Sequence, residues 1–175
     1  LVISVDTYYA NVARFVVENY GVSIINDISG GHDENMFRTV ADLSVPYVLM
    51  HIQGTPQTMH ENLGYSNFLQ DIFYFFSQRI NRLRELGVKD IIIDPGFGFS
   101  KTLEDNYELM KNLDLILVGI SRKRMIYQLL DTDVQHALNG TTVLNTFALS
   151  HGANILRVHD VKEAVEAIKI MHCLN

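Results

Sequence analysis

The chain has 175 residues with 47% hydrophobic content, enough for one domain with a real core and too apolar for a disordered segment. Its 20 acidic and 14 basic residues leave a net charge of −6, the wrong sign for general nucleic-acid binding. Cys173 is the sole cysteine, which excludes an internal disulfide framework and a cysteine-based zinc site and fits a reducing cytoplasm; apolar runs such as Leu115 to Ile120 are far short of the roughly 20 residues of a membrane span.

Val2 to Asp6 reads as a first strand, and Leu1 to Val5 is too short and lacks the basic flank of a signal peptide. The chain opens without Met directly in that strand, which sets the expectation of an N-terminally incomplete protein. Thr7 to Tyr20 follows as a helix with Val12, Phe15, Val16 and Tyr20 on one face, then come strands at Ile24 to Asp27 and Tyr47 to His51. Phe68, Ile72, Phe75, Phe76, Ile80 and Leu83 form a long apolar helical stripe, with Arg79, Arg82 and Arg84 read as solvated charge on its polar side. The strand Asp90 to Asp94 ends at Pro95, which cannot donate to a sheet, and at Gly96 and Gly98, which permit a tight turn.

Beyond it lie a helix at Leu103 to Leu113, a strand at Leu115 to Ser121 and helices at Arg122 to Leu130 and Thr141 to Ser150. A last strand at Asn154 to His159 leads into a helix at Val161 to Cys173. Gly21, Gly87 and Gly152 stand where helices want a left-handed cap. Leu113 to Leu115 passes from helix to strand with almost no connection, so a segment is expected to be missing there.

Alternating strand and helix predict a parallel sheet with helical crossovers. Each strand ends in polar or functional side chains: Asp6, Asn26 and Asp27, Met50 and His51, Asp94, Ser121 and Lys123, Arg157 and His159. An open doubly wound sheet gathers ligand residues only beside its switch point, whereas a (β/α)8 TIM barrel gathers them from every strand end. The barrel is therefore the expected fold. Such a barrel takes eight strands and about 250 residues, so residues 1–175, with six strands, are expected to form a single barrel domain lacking two βα units before Leu1.

Asp6, Asn26 and Asp94 form an acceptor-rich set with one amide donor, matched to a ring edge that offers an amino group beside a ring N–H. Met50 can pack on a flat ring, although taken alone a core role is the simpler account. Arg157 and His159 fall on one face of an extended segment, and Asp160 is placed to cap the next helix, so two cations adjoin a helix N-terminus suited to an anion. Lys123 lies in a basic run, Ser121 to Arg124, where it could reach a ring carbonyl and a second substrate. Gly96 to Lys101 lacks the third glycine of a dinucleotide fingerprint, His32, His51 and His60 lack metal-ligand spacing, and Ser121 has no neighbouring His to make it a nucleophile.

Six blocks carry a resemblance to the dihydropteroate synthase family: ISVDT at Ile3 to Thr7, IINDISGG at Ile24 to Gly31, VLMHIQGTPQTM at Val48 to Met59, DPGFGFSKT at Asp94 to Thr102, GISRKRMI at Gly119 to Ile126 and ILRVHDV at Ile155 to Val161. The resemblance implies a cytoplasmic, homodimeric TIM-barrel transferase of folate biosynthesis and a target of sulfonamides. It would join dihydropterin-6-ylmethyl diphosphate to the amino group of 4-aminobenzoate with release of diphosphate. It implies pterin recognition by Asp6, Asn26, Asp94 and Lys123 with Met50 lining the slot, diphosphate binding by Arg157 and His159, and an aminobenzoate pocket bordered by Phe99, Ser121 and Lys123. Asp6, Asp94, Lys123, Arg157 and His159 would be the catalytic set, acting on charge, with Mg2+ as cofactor. The family's first-strand Asn, which meets magnesium, and its first two loops have no counterpart here, so no residue of this sequence is assigned to the metal. A corrinoid-dependent methyltransferase shares the barrel and the acidic pterin pocket, but a methyl transfer leaves no diphosphate for the SRK and RVHD blocks to bind. A catalytically silent pterin-binding paralogue is the remaining alternative.

Overall fold

Why six short strands lie side by side follows from their connections, since parallel neighbours require crossovers and helices supply them here. The computed structural model describes residues 1–55, 58–59, 64–112 and 117–174. Its strands are β1 (Ser4–Asp6), β2 (Ile24–Asp27), β3 (Tyr47–Met50), β4 (Ile91–Asp94), β5 (Leu117–Val118) and β6 (Ile155–Leu156). Between and after them run α1 (Ala10–Tyr20), α2 (Met36–Leu43), α3 (Phe68–Glu85), α4 (Leu103–Lys111), α5 (Arg124–Leu129), α6 (Leu138–Ser150) and α7 (Val161–Leu174). The strands pair in parallel in the order β1-β2-β3-β4 and β5-β6, with β4 packed beside β5.

Ser4 and Asp6, Ile24 and Asn26, Val48, Ile92, Leu117, Ile155 and Arg157 all line one cavity of about 360 Å³. Alternate residues of every strand thus face a shared interior, which is the curvature of a (β/α) barrel and not of an open sheet. The outward faces of β2 and β3, with Ile25, Tyr47 and Leu49 fully buried, pack against the helices. β1 stands at the end of the four-strand order and is largely exposed.

Gly21, Gly87 and Gly152 adopt the expected positive φ of 63°, 90° and 88°. Helix α2 is an element absent from the sequence reading: at eight residues it is short, but Met36 and Val40 are buried and Phe37 and Ala41 packed against the core at helical spacing. Arg79 corrects another expectation. It is half-buried, donates from Nε to the Gly30 carbonyl at 2.8 Å and stacks its guanidinium 3.7 Å from the Phe75 ring centroid, so only Arg82 and Arg84 are solvated charge on α3. The junction at Leu113 to Leu115, the first residues of the expected fifth strand, Pro56, Gln57 and His60 lie outside the described residues. Among the described residues no helix is long and apolar enough to cross a membrane.

Candidate active site at the strand C-termini

Parallel strands deliver their last inward residues to one rim, and the register sets their heights. Asp6 pairs in register with Asn26, Asn26 with Val48, and Met50 with Asp94, so the two acids sit at different depths of the same mouth. Asn26 Nδ2 donates to Asp6 Oδ1 at 2.7 Å, which leaves Asn26 Oδ1 buried with no donor. Asp94 is fully buried; its Oδ1 accepts from the Gly96 amide at 2.8 Å and holds the turn after β4. Its Oδ2 lies 2.8 Å from Arg157 Nη2, an ion pair whose direction is poor enough that this oxygen receives no true hydrogen bond. Asn26 Oδ1 therefore stands in the mouth with no donor and Asp94 Oδ2 with only a poorly directed ion pair, an arrangement that native interiors rarely tolerate unless a ligand completes it.

Lys123 donates from Nζ to the Phe97 carbonyl and stands 4.2 Å over the Phe99 ring. Burial lowers its pKa to about 8 against the opposing pull of Asp94, with Arg157 lowering it further. Ser121 Oγ accepts the His159 amide at 3.2 Å, joining the β5 and β6 ends, while the His159 side chain is exposed. Met50 is fully buried, with its Cγ 3.3 Å from where a Cβ on Gly96 would stand.

Not every polar strand end converges on the mouth. Asp27 turns away from the interior and accepts from Ser29 N and Oγ at 2.7 Å each, Gly31 N at 2.8 Å and Tyr47 Oη at 2.6 Å, which fixes the loop before α2. His51 is buried among Tyr65, Phe75 and Phe76, and burial followed by the charge of Lys101 lowers its pKa to about 2. It therefore serves as a neutral acceptor for Lys101 Nζ, 2.9 Å from its Nδ1. Lys101 also donates to the Gly96 and Phe99 carbonyls at 3.1 and 2.9 Å, so it organises the turn from beneath; burial lowers its pKa to about 7.

The carboxylate of Asp160 goes to Arg122, through Nε and Nη2 at 2.9 Å each. Arg122 also donates from Nη1 to the Val134 and Gln135 carbonyls, and Thr141 Oγ1 accepts its backbone N–H at 3.0 Å. These contacts hold Arg122 at φ 51°, an uncommon conformation for a residue with a side chain. Arg157 thus turns to Asp94 and not to the adjacent Asp160. Sequence spacing could not show this choice, nor the role of Gly119: a Cβ there would stand 2.7 Å from Arg157 Nη2 and 2.9 Å from its Nε, so only a bare backbone leaves the guanidinium its path.

A family model described as pterin binding enzyme matches residues 1–159. The bifunctional dihydropteroate synthase/dihydropteroate reductase of Helicobacter pylori is 39% identical over 179 residues, covering 98% of this chain and 47% of that protein. The dihydropteroate synthase of Escherichia coli is 38% identical over 178 residues, covering 97% of this chain and 63% of that one. The solved structure of dihydropteroate synthase from Thermus thermophilus in complex with 4-aminobenzoate matches with a TM-score of 0.94 at 33% identity, over 100% of this chain and 71% of its own. The chain spans about half to two thirds of the length of these two curated relatives.

Proposed function

The chain belongs to the pterin-binding enzyme family, and from that premise we propose that it works as a dihydropteroate synthase. It joins dihydropterin-6-ylmethyl diphosphate to 4-aminobenzoate and releases diphosphate. The observation that carries this reading is the pair of buried acceptors that receive no hydrogen bond, Asn26 Oδ1 and Asp94 Oδ2, the latter only ion-paired with Arg157, in a mouth that also holds Lys123. A pterin edge offers an amino group beside a ring N–H to those acceptors, while Lys123 meets the ring carbonyl. Asp6 completes the edge through Asn26, and Met50, beneath the Gly96 turn, backs the slot.

In the reaction the bond between the pterin methylene carbon and the diphosphate oxygen breaks, with its electron pair leaving on oxygen. The amine lone pair of 4-aminobenzoate then forms the new C–N bond and nitrogen loses a proton. No side-chain nucleophile is needed. Arg157, His159 and the start of α7 stabilise the departing charge, the carboxylates of Asp6 and Asp94 favour the cationic methylene, and Phe99, Ser121 and Lys123 border the amine's pocket.

Among the described residues no three His, Cys, Asp or Glu side chains come together to hold a metal. Magnesium commonly binds through one or two carboxylates plus substrate phosphates; in this reading it is the cofactor that accompanies the diphosphate, and none of the residues named here is assigned to it. A homodimer is the proposed assembly, which light scattering checks.

The test is diphosphate release from the purified full-length protein given the dihydropterin diphosphate and magnesium, with and without 4-aminobenzoate. Aminobenzoate-dependent release with dihydropteroate formed is the expected result. Pterin binding without release identifies the silent paralogue instead.

Lys123 adds a pH signature. A cation with its pKa lowered to about 8 is charged below that pH and loses its proton above it, so pterin affinity is expected to fall as pH rises through about 8. Lys123→Met removes that limb from the calorimetric pH profile and weakens binding throughout. Any limb near pH 7, where Lys101 titrates, persists in the variant and separates the two lysines. An unchanged limb above pH 8 in Lys123→Met excludes Lys123 as its source.

A further inference from the structure

Arg157 has a second task. Its main-chain N–H donates to the Val118 carbonyl at 2.9 Å, while its side chain is 37% exposed. At rest the guanidinium crosses the bare backbone of Gly119 to reach Asp94 Oδ2 at 2.8 Å, the oxygen that the pterin reading reserves for the ligand's amino edge. Arginine and pterin compete for one acceptor.

On the basis of the pterin reading, we propose that Arg157 is a specificity-determining counter-ion: it covers Asp94 in the empty site and yields it fully only to a pterin whose diphosphate draws the guanidinium away. A diphosphate receives Arg157 in stronger, charge-assisted hydrogen bonds than the poorly directed contact it gives up. The pterin alcohol, which lacks the diphosphate, must part the ion pair with nothing to receive the freed cation. Discrimination against the alcohol, the product of simple hydrolysis of the substrate, then comes from a contact present before any ligand arrives. When Arg157 leaves, Asp94 still faces the Gly96 amide and the nearby ammonium groups of Lys101 and Lys123.

Two substitutions separate the roles of Arg157. Arg157→Gln removes both the cover and the diphosphate partner. Gly119→Ala keeps the positive charge but puts a methyl group in the guanidinium's path; the atoms it meets are the far end of a flexible side chain, so the fold can absorb it.

The measurement is isothermal titration calorimetry of 6-hydroxymethyl-7,8-dihydropterin and of its diphosphate on full-length wild-type protein and both variants. The alcohol is expected to bind about three- to tenfold more tightly to both variants, as for release of a partly exposed ion pair. The diphosphate is expected to bind roughly tenfold or more weakly to Arg157→Gln, through loss of a charge-assisted contact, and to lose less in Gly119→Ala. An alcohol affinity that is unchanged or weaker in both variants overturns the proposal while leaving the pterin reading intact. Failure of the wild type to bind either compound overturns that reading, and this proposal with it.

Discussion

Asp94→Asn is expected to lower kcat/KM for the dihydropterin diphosphate about a hundredfold, with little change in Tm. Asparagine is nearly isosteric and its oxygen can still accept from the Gly96 amide, so the turn after β4 survives. What disappears is the charge on a fully buried group and one of its two acceptors. The edge of the ring then meets an amide N–H where it needs a lone pair, and Lys101, Lys123 and Arg157 are left facing a neutral group. Removing one partner from a buried, charge-assisted arrangement costs about 3 kcal/mol, roughly two decades in kcat/KM. Steady-state kinetics with titration of the pterin checks this, and an unchanged pterin affinity rules out Asp94 as the ring's acceptor.

Gly96→Ala is expected to act on stability first. Gly96 has φ 70°, and a Cβ there would run into the carbonyl oxygen of His51, which is backbone and cannot rotate aside. The left-handed conformation alone costs about 1 kcal/mol for alanine, and the backbone collision brings the total to roughly 3 to 5 kcal/mol. For a domain of this size that lowers Tm by roughly 10 °C. Gly21→Ala is the control: its φ of 63° carries the same conformational term, but nothing lies within 4 Å of the added carbon. The expected drop there is only a few degrees. Equal losses in the two variants refute the collision argument.

The frame was legible because its signals are periodic and local. Strand ends at Asp6, Asp27 and Asp94 match the predicted boundaries, and the caps at Gly21, Gly87 and Gly152 take the conformations that only the sequence context demanded. Helix α2 escaped because its eight residues give barely two turns of pattern, interrupted by the charges of Arg38 and Asp42. At the site, residue type told which groups could meet a flat polar ring or an anion, but not which partner each holds at rest. Asp160 stands at the expected cap position, its carbonyl accepting the Ala164 N–H at 3.1 Å, but its carboxylate goes to Arg122, while Arg157 reaches Asp94 across a glycine 38 residues earlier in the chain. Asp27 and His51 look like neighbours of Asn26 and Met50 in sequence, yet the period of two along a strand sends them outward into buried supporting networks. Such pairings are decided by three-dimensional competition among several charges of similar reach, and one-dimensional spacing carries no record of it.

The clasp between Arg122 and Asp160 ties the loop after β5 to the loop after β6. Arg122 is held in its uncommon backbone conformation by contacts from three other segments, at Val134 and Gln135, at Thr141 and at Asp160. Lys123 is the next residue along. The spacing between Lys123 and the strand end that carries Arg157 is therefore tied to the Asp160 carboxylate, and replacing one end of that clasp alone is expected to disturb it more than replacing both.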